Sequence, residues 1–304
     1  MKKIVAIVFL SILLPSACQT TSTNEIDWAT PLAPEDQPKV YINKMQTSMA
    51  SAQTPSVQPT ADTRLLPEDW QMWPVVPEVT QTAKELYRKG LVMGNNPHAF
   101  SKVADCQNLK SVFLWKYDHL DIYKFDYSLD EYMETIENFQ GYFDRDGQAA
   151  KFGFTAASPL TQLEADPHYC LPEETPLECE LRITRPTFVL ISLEFPFLNR
   201  SAALYEKYLR QIIEYVMSQG AVPILATKAD NVEGDHSINL TIAKLAYEYD
   251  VPLWNWWAAA QPLANKGIDP YRDGFHISEE AWEERSRTFL MVLDHLWKGL
   301  KDSS

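Results

Sequence analysis

Glycine and basic residues are both scarce in this chain. Only ten of the 304 residues are glycine, and none comes before Gly90, which excludes collagen-like and glycine-rich repeat architectures. Lys and Arg together number 27 against 41 Asp and Glu, giving a formal net charge of −14. Because a protein that neutralises nucleic-acid phosphates needs a surplus of Lys and Arg, the charge balance argues against a nucleic-acid partner.

The apolar run at the N-terminus is short. It covers residues 4–14, after two lysines, and small residues precede Cys18. Eleven residues are too few to cross a membrane, which takes about 20, so residues 1–17 are predicted to be a signal peptide. The ending Leu14-Pro15-Ser16-Ala17-Cys18 resembles a bacterial lipoprotein signal, although Pro15 stands where Leu is usual. This resemblance predicts lipidation of Cys18 and anchoring in the bacterial cell envelope. The alternative is cleavage near Ala17 and secretion with a free thiol.

Cysteines number only four. Cys170 and Cys179 flank a polar, proline-bearing segment, and export to an oxidising compartment predicts a disulfide between them. Two unrelated thiols and a metal site are the alternatives, but His168 is the only histidine near the pair. No two histidines have the spacing of a helical zinc site, so we expect no metal and no other cofactor. This pairing would leave Cys106 as a single thiol.

Composition divides the chain after the signal peptide. Residues 47–60 are mostly Thr, Ser, Gln and Pro, and such a segment cannot bury enough apolar surface to offset its ordering entropy. We therefore predict a disordered tether over residues 18–65 and one folded domain over residues 66–304.

Within the domain, strand and helix patterns alternate. Nearly continuous apolar runs predict buried strands, and residues spaced three and four apart predict helices, the first ended by Gly90. Residues 128–131 match a capping box. The predicted strands are 100–104, 187–193, 221–227 and 251–256, and the main predicted helices are 80–89, 201–219, 238–249 and 278–298. This order indicates a parallel sheet with helices on both faces, whose functional residues follow the carboxyl ends of the strands.

Three short segments at those positions carry a resemblance. They are Phe100-Ser-Lys-Val-Ala-Asp-Cys106, Gly153-Phe-Thr155 and Asp273-Gly-Phe-His276. Together they resemble the SGNH (GDSL-type) hydrolases, three-layer α/β/α esterases with a flavodoxin-like parallel sheet, over about residues 78–298. The resemblance implies that Cys106 replaces the serine nucleophile, that Gly153 contributes to the oxyanion hole, and that His276 is a base paired with Asp273.

A polar loop follows the strand at 221–227. Bacterial relatives in the same family have a similar Lys-Ala-Asp-Asn loop, which here comprises residues 228–231. Lys228, Asp230 and Asn231 could hold a polar substrate, or the loop could simply be solvated.

Other positions depart from the family pattern. Ala104 replaces a glycine, and the Gly-x-Asn block is replaced by Leu193-Glu194-Phe195-Pro196-Phe197. The family's Asn donates to the oxyanion, whereas Pro196 has no donor at all, and losing one such donor costs about 3 kcal/mol of transition-state stabilisation.

These losses lead to two functional hypotheses. The first is an envelope protein with a degenerate SGNH-like site, little or no hydrolase activity, and a binding or scaffolding role. In that case Cys106 is an inert buried residue and His276 a structural relic. The alternative is an esterase or acyl-transfer enzyme that uses Cys106 and His276 on acylated envelope carbohydrate or a related ester.

Overall fold

The computed structural model describes residues 62, 64–194 and 201–302. The predicted signal peptide, Cys18, nearly all of the predicted tether and Pro196 lie outside these residues. No helix within the described part of the chain is long and apolar enough to cross a membrane.

Four parallel strands form the central sheet. They are β1 (Asn96–Ala104), β2 (Pro186–Ser192), β3 (Val222–Ala226) and β4 (Leu253–Trp254), and they lie side by side in that order. Ala150 forms an isolated parallel bridge with Ala104, which places a short fifth segment at the other edge of β1. The resulting order is that of a flavodoxin-like sheet, so the prediction of a parallel α/β sheet is confirmed.

Seven α-helices are described around this sheet. They are α1 (Gln81–Met93), α2 (Met133–Asn138), α3 (Pro176–Thr184), α4 (Ala202–Ser218), α5 (Ser237–Tyr249), α6 (Trp256–Ala260) and α7 (Glu279–Lys301). A short 3₁₀ helix, Cys106–Asn108, follows β1 directly.

The strands contribute side chains to two apolar cores, one on each face of the sheet, because successive side chains of a strand point to opposite faces. On one face, strand residues pack against α1 and α7; examples are Phe100, Leu190, Ile224 and Trp254 with Leu86, Phe289 and Leu293. On the other face, strand residues pack against α3, α4 and α5; examples are Val103, Ile191 and Leu225 with Leu181, Ile212 and Ile242. The molecule therefore has three layers, α/β/α.

The sequence predicts that the first helix ends at Gly90, and the structure shows that this prediction is wrong. α1 continues to Met93, and Gly90 packs inside it against the turn before β3. A Cβ atom on Gly90 would lie 2.1 Å from the carbonyl oxygen of Gly220. Glycine is therefore required here because two backbones meet, not because the helix stops.

The capping box predicted at residues 128–131 is also wrong. Ser128 Oγ accepts a hydrogen bond from the backbone N–H of Asp130 at 3.1 Å, and α2 begins only at Met133. A capping box is present instead at Thr175 and Glu178, where it opens α3. The proline-bearing segment between Cys170 and Cys179 thus contains the start of a helix. A proline at the first position of a helix is well tolerated because its missing N–H would have no partner there.

Candidate active site

Cys106 lies where β1 ends. Asp105 caps the 3₁₀ helix that follows, since its Oδ1 accepts a hydrogen bond from the backbone N–H of Gln107 at 3.0 Å. Ala104 is the last residue of the strand and is not among the residues with positive φ, so this turn does not need the glycine of the family pattern. The thiol is therefore held at the carboxyl end of the sheet, where Cys106 is 8% exposed.

The imidazole of His276, which is the predicted base, lies close to this thiol. Its Nε2 lies 3.7 Å from Cys106 Sγ, although 170 positions separate the two residues. Its Nδ1 lies 2.7 Å from Asp273 Oδ2. The structure thus brings together the three side chains that the sequence predicts to be nucleophile, base and orienting carboxylate, at distances compatible with nucleophilic catalysis.

Burial sets the protonation state of this pair. It lowers the pKa of His276, and the hydrogen bond with Asp273 offsets the effect only in part. Burial opposes ionisation of Asp273, but hydrogen bonds from the backbone N–H groups of His276 and Phe275 outweigh it and lower the pKa of Asp273. At neutral pH the imidazole is therefore neutral: Nδ1–H donates to Asp273, and Nε2 is left to accept the thiol proton.

Gly153 lies near the end of β1. The backbone N–H of Ala104 donates to Ala149 O at 3.0 Å, and that of Lys151 donates to Ala104 O at 3.2 Å. Gly153 follows with φ +76°, and a Cβ placed on it would meet no heavy atom within 4 Å. Its N–H has no hydrogen-bond acceptor among the described residues. Its predicted role as an oxyanion donor fits this open position but stays a prediction.

Ion pairs of Lys228 hold the polar loop after β3 in place. Lys228 Nζ donates to Asp230 Oδ1 at 2.6 Å and to Glu233 Oε2 at 2.5 Å. Burial lowers the pKa of Lys228, but the two carboxylates outweigh it and raise that pKa. Burial also raises the pKa of Asp230 to about 6, against the opposing effect of Lys228. No hydrogen bond joins Lys228, Asp230 or Asn231 to Cys106 or His276 within the described residues.

Asn231 is the exposed member of this loop. Its Oδ1 accepts a hydrogen bond from the backbone N–H of His236 at 2.8 Å, whereas its Nδ2 makes none to a described residue. A ligand could therefore reach Asn231 without displacing an internal contact, so substrate binding by this loop stays a prediction that depends mainly on this residue.

Sequence reasoning missed a buried ion pair between Arg285 and Glu194. Arg285 Nη2 bonds Glu194 Oε1 and also donates to Ser192 Oγ at 2.8 Å and to Asn108 Oδ1 at 2.9 Å. The guanidinium lies 4.9 Å from the ring centre of Trp254. The signal was available, because Arg285 is a charged residue on the apolar face of α7, four residues from both Ala281 and Phe289.

The backbone N–H of Glu194 donates to Asp105 Oδ2. Glu194 thus connects the ends of β1 and β2 to α7. It stands in the block where the family has its Asn donor, yet its described contacts are all internal.

The structure joins Cys170 and Cys179 in a disulfide, with a sulfur–sulfur distance of 2.14 Å. Cys106 is the cysteine of the described residues that is not part of a disulfide. Within the same part of the chain, Cys170, Glu174 and Cys179 form the one group whose potential metal-binding atoms lie within 4.8 Å of one another. Both of its thiols are used in the disulfide, so the group lacks the thiolates that a metal would need.

Comparison with known proteins gives limited similarity. Neither a scan of protein-family models nor a search of curated proteins finds a match. Among solved structures, the crystal structure of TesA aligns with a TM-score of 0.43 and 14% identity, over 65% of this chain and 99% of TesA. A GDSL-like lipase from Bacteroides thetaiotaomicron aligns with a TM-score of 0.41 and 13% identity, over 70% of this chain and 97% of the lipase. At these values, neither structure assigns an activity to the chain.

Proposed function

We propose that this protein is an SGNH-like acyl hydrolase in which Cys106 is the nucleophile, His276 the general base and Asp273 the residue that orients the imidazole. The observation that carries the proposal is the 3.7 Å separation of Cys106 Sγ and His276 Nε2, with Asp273 2.7 Å from the opposite ring nitrogen. The substrate class is an ester, such as an acylated carbohydrate of the bacterial envelope.

The reaction begins with transfer of the thiol proton to His276 Nε2 as Sγ attacks the ester carbonyl. A carbon–sulfur bond forms, and the carbonyl π electrons move to the oxygen, which accepts a hydrogen bond from the N–H of Gly153. The imidazolium then protonates the departing alcohol oxygen as its bond to carbon breaks, leaving a thioester. A water molecule, deprotonated by His276, attacks that thioester and releases the acid and the thiol.

The rate of this reaction depends on whether the tetrahedral intermediate expels the alcohol or returns the thiolate. A thiolate leaves more readily than an alkoxide, so the tetrahedral intermediate proceeds only if His276 protonates the alcohol oxygen promptly. An oxyanion hole without the family's Asn loses about 3 kcal/mol of stabilisation, or about a hundredfold in rate. Slow turnover is therefore expected, and small activated esters are the substrates on which it is easiest to detect.

A specific observation favours a second candidate, the binding or scaffolding role with little hydrolysis. Glu194 is engaged with Arg285 and Asp105, so its side chain does not replace the missing donor. Cys106 is also only 8% exposed, which restricts access of a large ester to the sulfur.

Hydrolysis of p-nitrophenyl acetate by the full chain, purified in mild detergent, distinguishes the two candidates. We expect saturable turnover that falls by about a hundredfold or more in Cys106→Ala and His276→Ala. The control is His295→Ala, which removes an exposed histidine of α7 and should leave the rate unchanged. Turnover equal in all four proteins would refute the hydrolase, and no turnover in any of them would favour the binding role.

The cell envelope is the proposed location of the protein. A signal peptide over residues 1–17, a lipid on Cys18 and a tether over residues 18–65 would hold the folded domain, residues 66–304, at the membrane. The Cys170–Cys179 disulfide is compatible with export to an oxidising compartment. The mass of the N-terminal peptide tests the anchor: a lipid adduct on Cys18 is expected, and an unmodified peptide would contradict it.

A further inference from the structure

Gln107 connects the nucleophile to the segment that carries the base. Its side chain is buried, with 1% exposure, and follows Cys106 directly in the chain. Its Nε2 donates to Phe275 O at 2.9 Å, and its Oε1 accepts from the backbone N–H of Ile277 at 3.2 Å. One amide therefore binds the peptide groups on both sides of His276.

The opposite edge of that segment is held as well. Ile277 forms an antiparallel bridge with Ile268, and the backbone N–H of Asp269 donates to His276 O at 2.9 Å. These contacts come from the same loop as His276. Gln107, in contrast, joins the loop to the helix of Cys106, across a sequence separation of 168 residues.

The direct contact between the reacting side chains is long. A separation of 3.7 Å between Sγ and Nε2 corresponds to a weak hydrogen bond, because thiols are poor donors. Such a contact cannot fix the relative position of two loops. Two amide–backbone hydrogen bonds in a buried site can do so, since their geometry is directional and water does not compete for them.

We propose that Gln107 is a positioning residue that sets the distance between Cys106 and His276. This inference deepens the proposed function and rests on it for the catalytic use of the pair. Gln107 carries no charge, and the charged groups that act on the pKa of His276 are Arg272, Asp273 and Asp269. Replacing Gln107 by a neutral side chain therefore changes the position of the imidazole without changing the charges around it.

Two variants separate position from fold. Gln107→Met removes both hydrogen bonds with little change of volume, whereas Gln107→Asn keeps a neutral amide that is one methylene too short to reach both Phe275 and Ile277. The matched control is Gln261→Met, because the Gln261 amide donates to Trp257 O and makes no hydrogen bond to residues 273–277. Circular dichroism checks that each variant is folded.

The main readout is labelling of Cys106 by iodoacetamide as a function of pH, located by mass spectrometry of the Cys106 peptide. At neutral pH we expect Gln107→Met to react about tenfold more slowly than wild type and to follow the flatter pH profile of His276→Ala. Gln107→Asn should lie between these two, and Gln261→Met should match wild type. With p-nitrophenyl acetate, kcat should fall in Gln107→Met while KM stays constant.

A wild-type labelling profile in folded Gln107→Met would overturn the inference. If that variant does not fold, Gln107→Asn decides the matter in the same way. Labelling needs no substrate turnover, so a wild-type chain that labels in a His276-dependent manner but hydrolyses nothing would defeat only the proposed function. Equal labelling of wild type and His276→Ala would overturn both.

Discussion

Two polar clusters lie at the carboxyl ends of the strands, and they use their hydrogen-bonding capacity differently. After β3, Lys228 is held by two carboxylates at 2.6 and 2.5 Å. After β1, Cys106 Sγ lies 3.7 Å from a neutral imidazole. Short bonds between opposite charges hold the first cluster in place, whereas the second is the pair between which the proposed reaction transfers a proton. The comparison shows that polarity at a sheet edge does not by itself identify a reactive site.

Burial also has opposite outcomes in the two clusters. Around Lys228 the carboxylates outweigh it, and the lysine pKa rises. Around His276 burial outweighs the hydrogen bond with Asp273, and Arg272 adds to the effect of burial, so the histidine pKa falls. The balance between burial and the strength of the nearby opposite charges therefore decides whether the basic group stays charged at neutral pH.

Replacing one carboxylate in each cluster gives the largest expected contrast. Asp273→Asn should lower kcat with p-nitrophenyl acetate by up to about 10⁴-fold, because an amide no longer holds the imidazole in the tautomer that accepts the thiol proton. The matched variant Asp230→Asn should lower it by less than about tenfold. Equal losses in the two variants would remove the distinction between a reactive and a holding cluster.

The buried pair Arg285–Glu194 should dominate stability at this edge of the sheet. Arg285→Met leaves the Glu194 carboxylate without its partner, and we expect the free energy of unfolding in urea to fall by about 3–5 kcal/mol. The control is on the same helix: Arg287→Met removes a more exposed pair with Glu284 and should cost less than about 1 kcal/mol. Similar losses for both would show that burial does not matter here.

The pH dependence of the free energy of unfolding tests the effect of burial on Asp230. The pKa of Asp230 is raised by burial to about 6 in the folded protein, above about 3.9 in an unfolded chain. The folded state therefore binds the proton more tightly, so this contribution to stability decreases as pH rises between the two values and is lost above about pH 6. Relative to wild type, Asp230→Asn should gain about 2 kcal/mol of unfolding free energy between about pH 4 and pH 7.

Asp235 provides the control of opposite sign. Hydrogen bonds from Ser237 lower the pKa of this exposed carboxyl, so its contribution grows as pH rises. Asp235→Asn should therefore lose stability relative to wild type as pH rises through about 4, the ordinary pKa of an Asp, as measured by urea unfolding at each pH. A common sign for the two variants would contradict the assignment of burial as the cause at Asp230.

The smallest expected effect is at Asn231. If this loop binds the substrate, Asn231→Ala removes one exposed hydrogen-bond donor, and KM should rise about two- to fivefold with kcat unchanged, because such a bond contributes about 0.5–1.5 kcal/mol at most. Steady-state kinetics on an ester with a polar alcohol measure this. An unchanged KM would assign the loop a structural role.

Local pattern was enough to predict much of the fold. The runs at 187–193 and 221–227 became β2 and β3 because they are nearly continuously apolar, and the helix predicted over residues 201–219 is α4. The family resemblance also predicted the contact between Asp273 and His276. These signals depend on residues near one another in the chain, where period and capping chemistry are directly visible.

Contacts between distant segments could not be read in the same way. Nothing near Gln107 indicates that its amide meets Phe275, and nothing near Gly90 indicates that Gly220 packs against it. α3 was missed because a proline suits both a loop and the first turn of a helix. The charge of Arg285 on an apolar helix face was visible, but its partner Glu194 lies 91 positions away.

Cys106 lies far from His276 and Arg285 in the sequence, and this has a consequence during synthesis of the chain. The thiol at position 106 leaves the ribosome long before the imidazole at 276 and the guanidinium at 285, which secures its segment from the last helix. A nascent chain therefore carries Cys106 before these two side chains have been made. The proposed reaction centre is complete only when almost the entire polypeptide has been synthesised, so a truncated product would contain the proposed nucleophile without the proposed base.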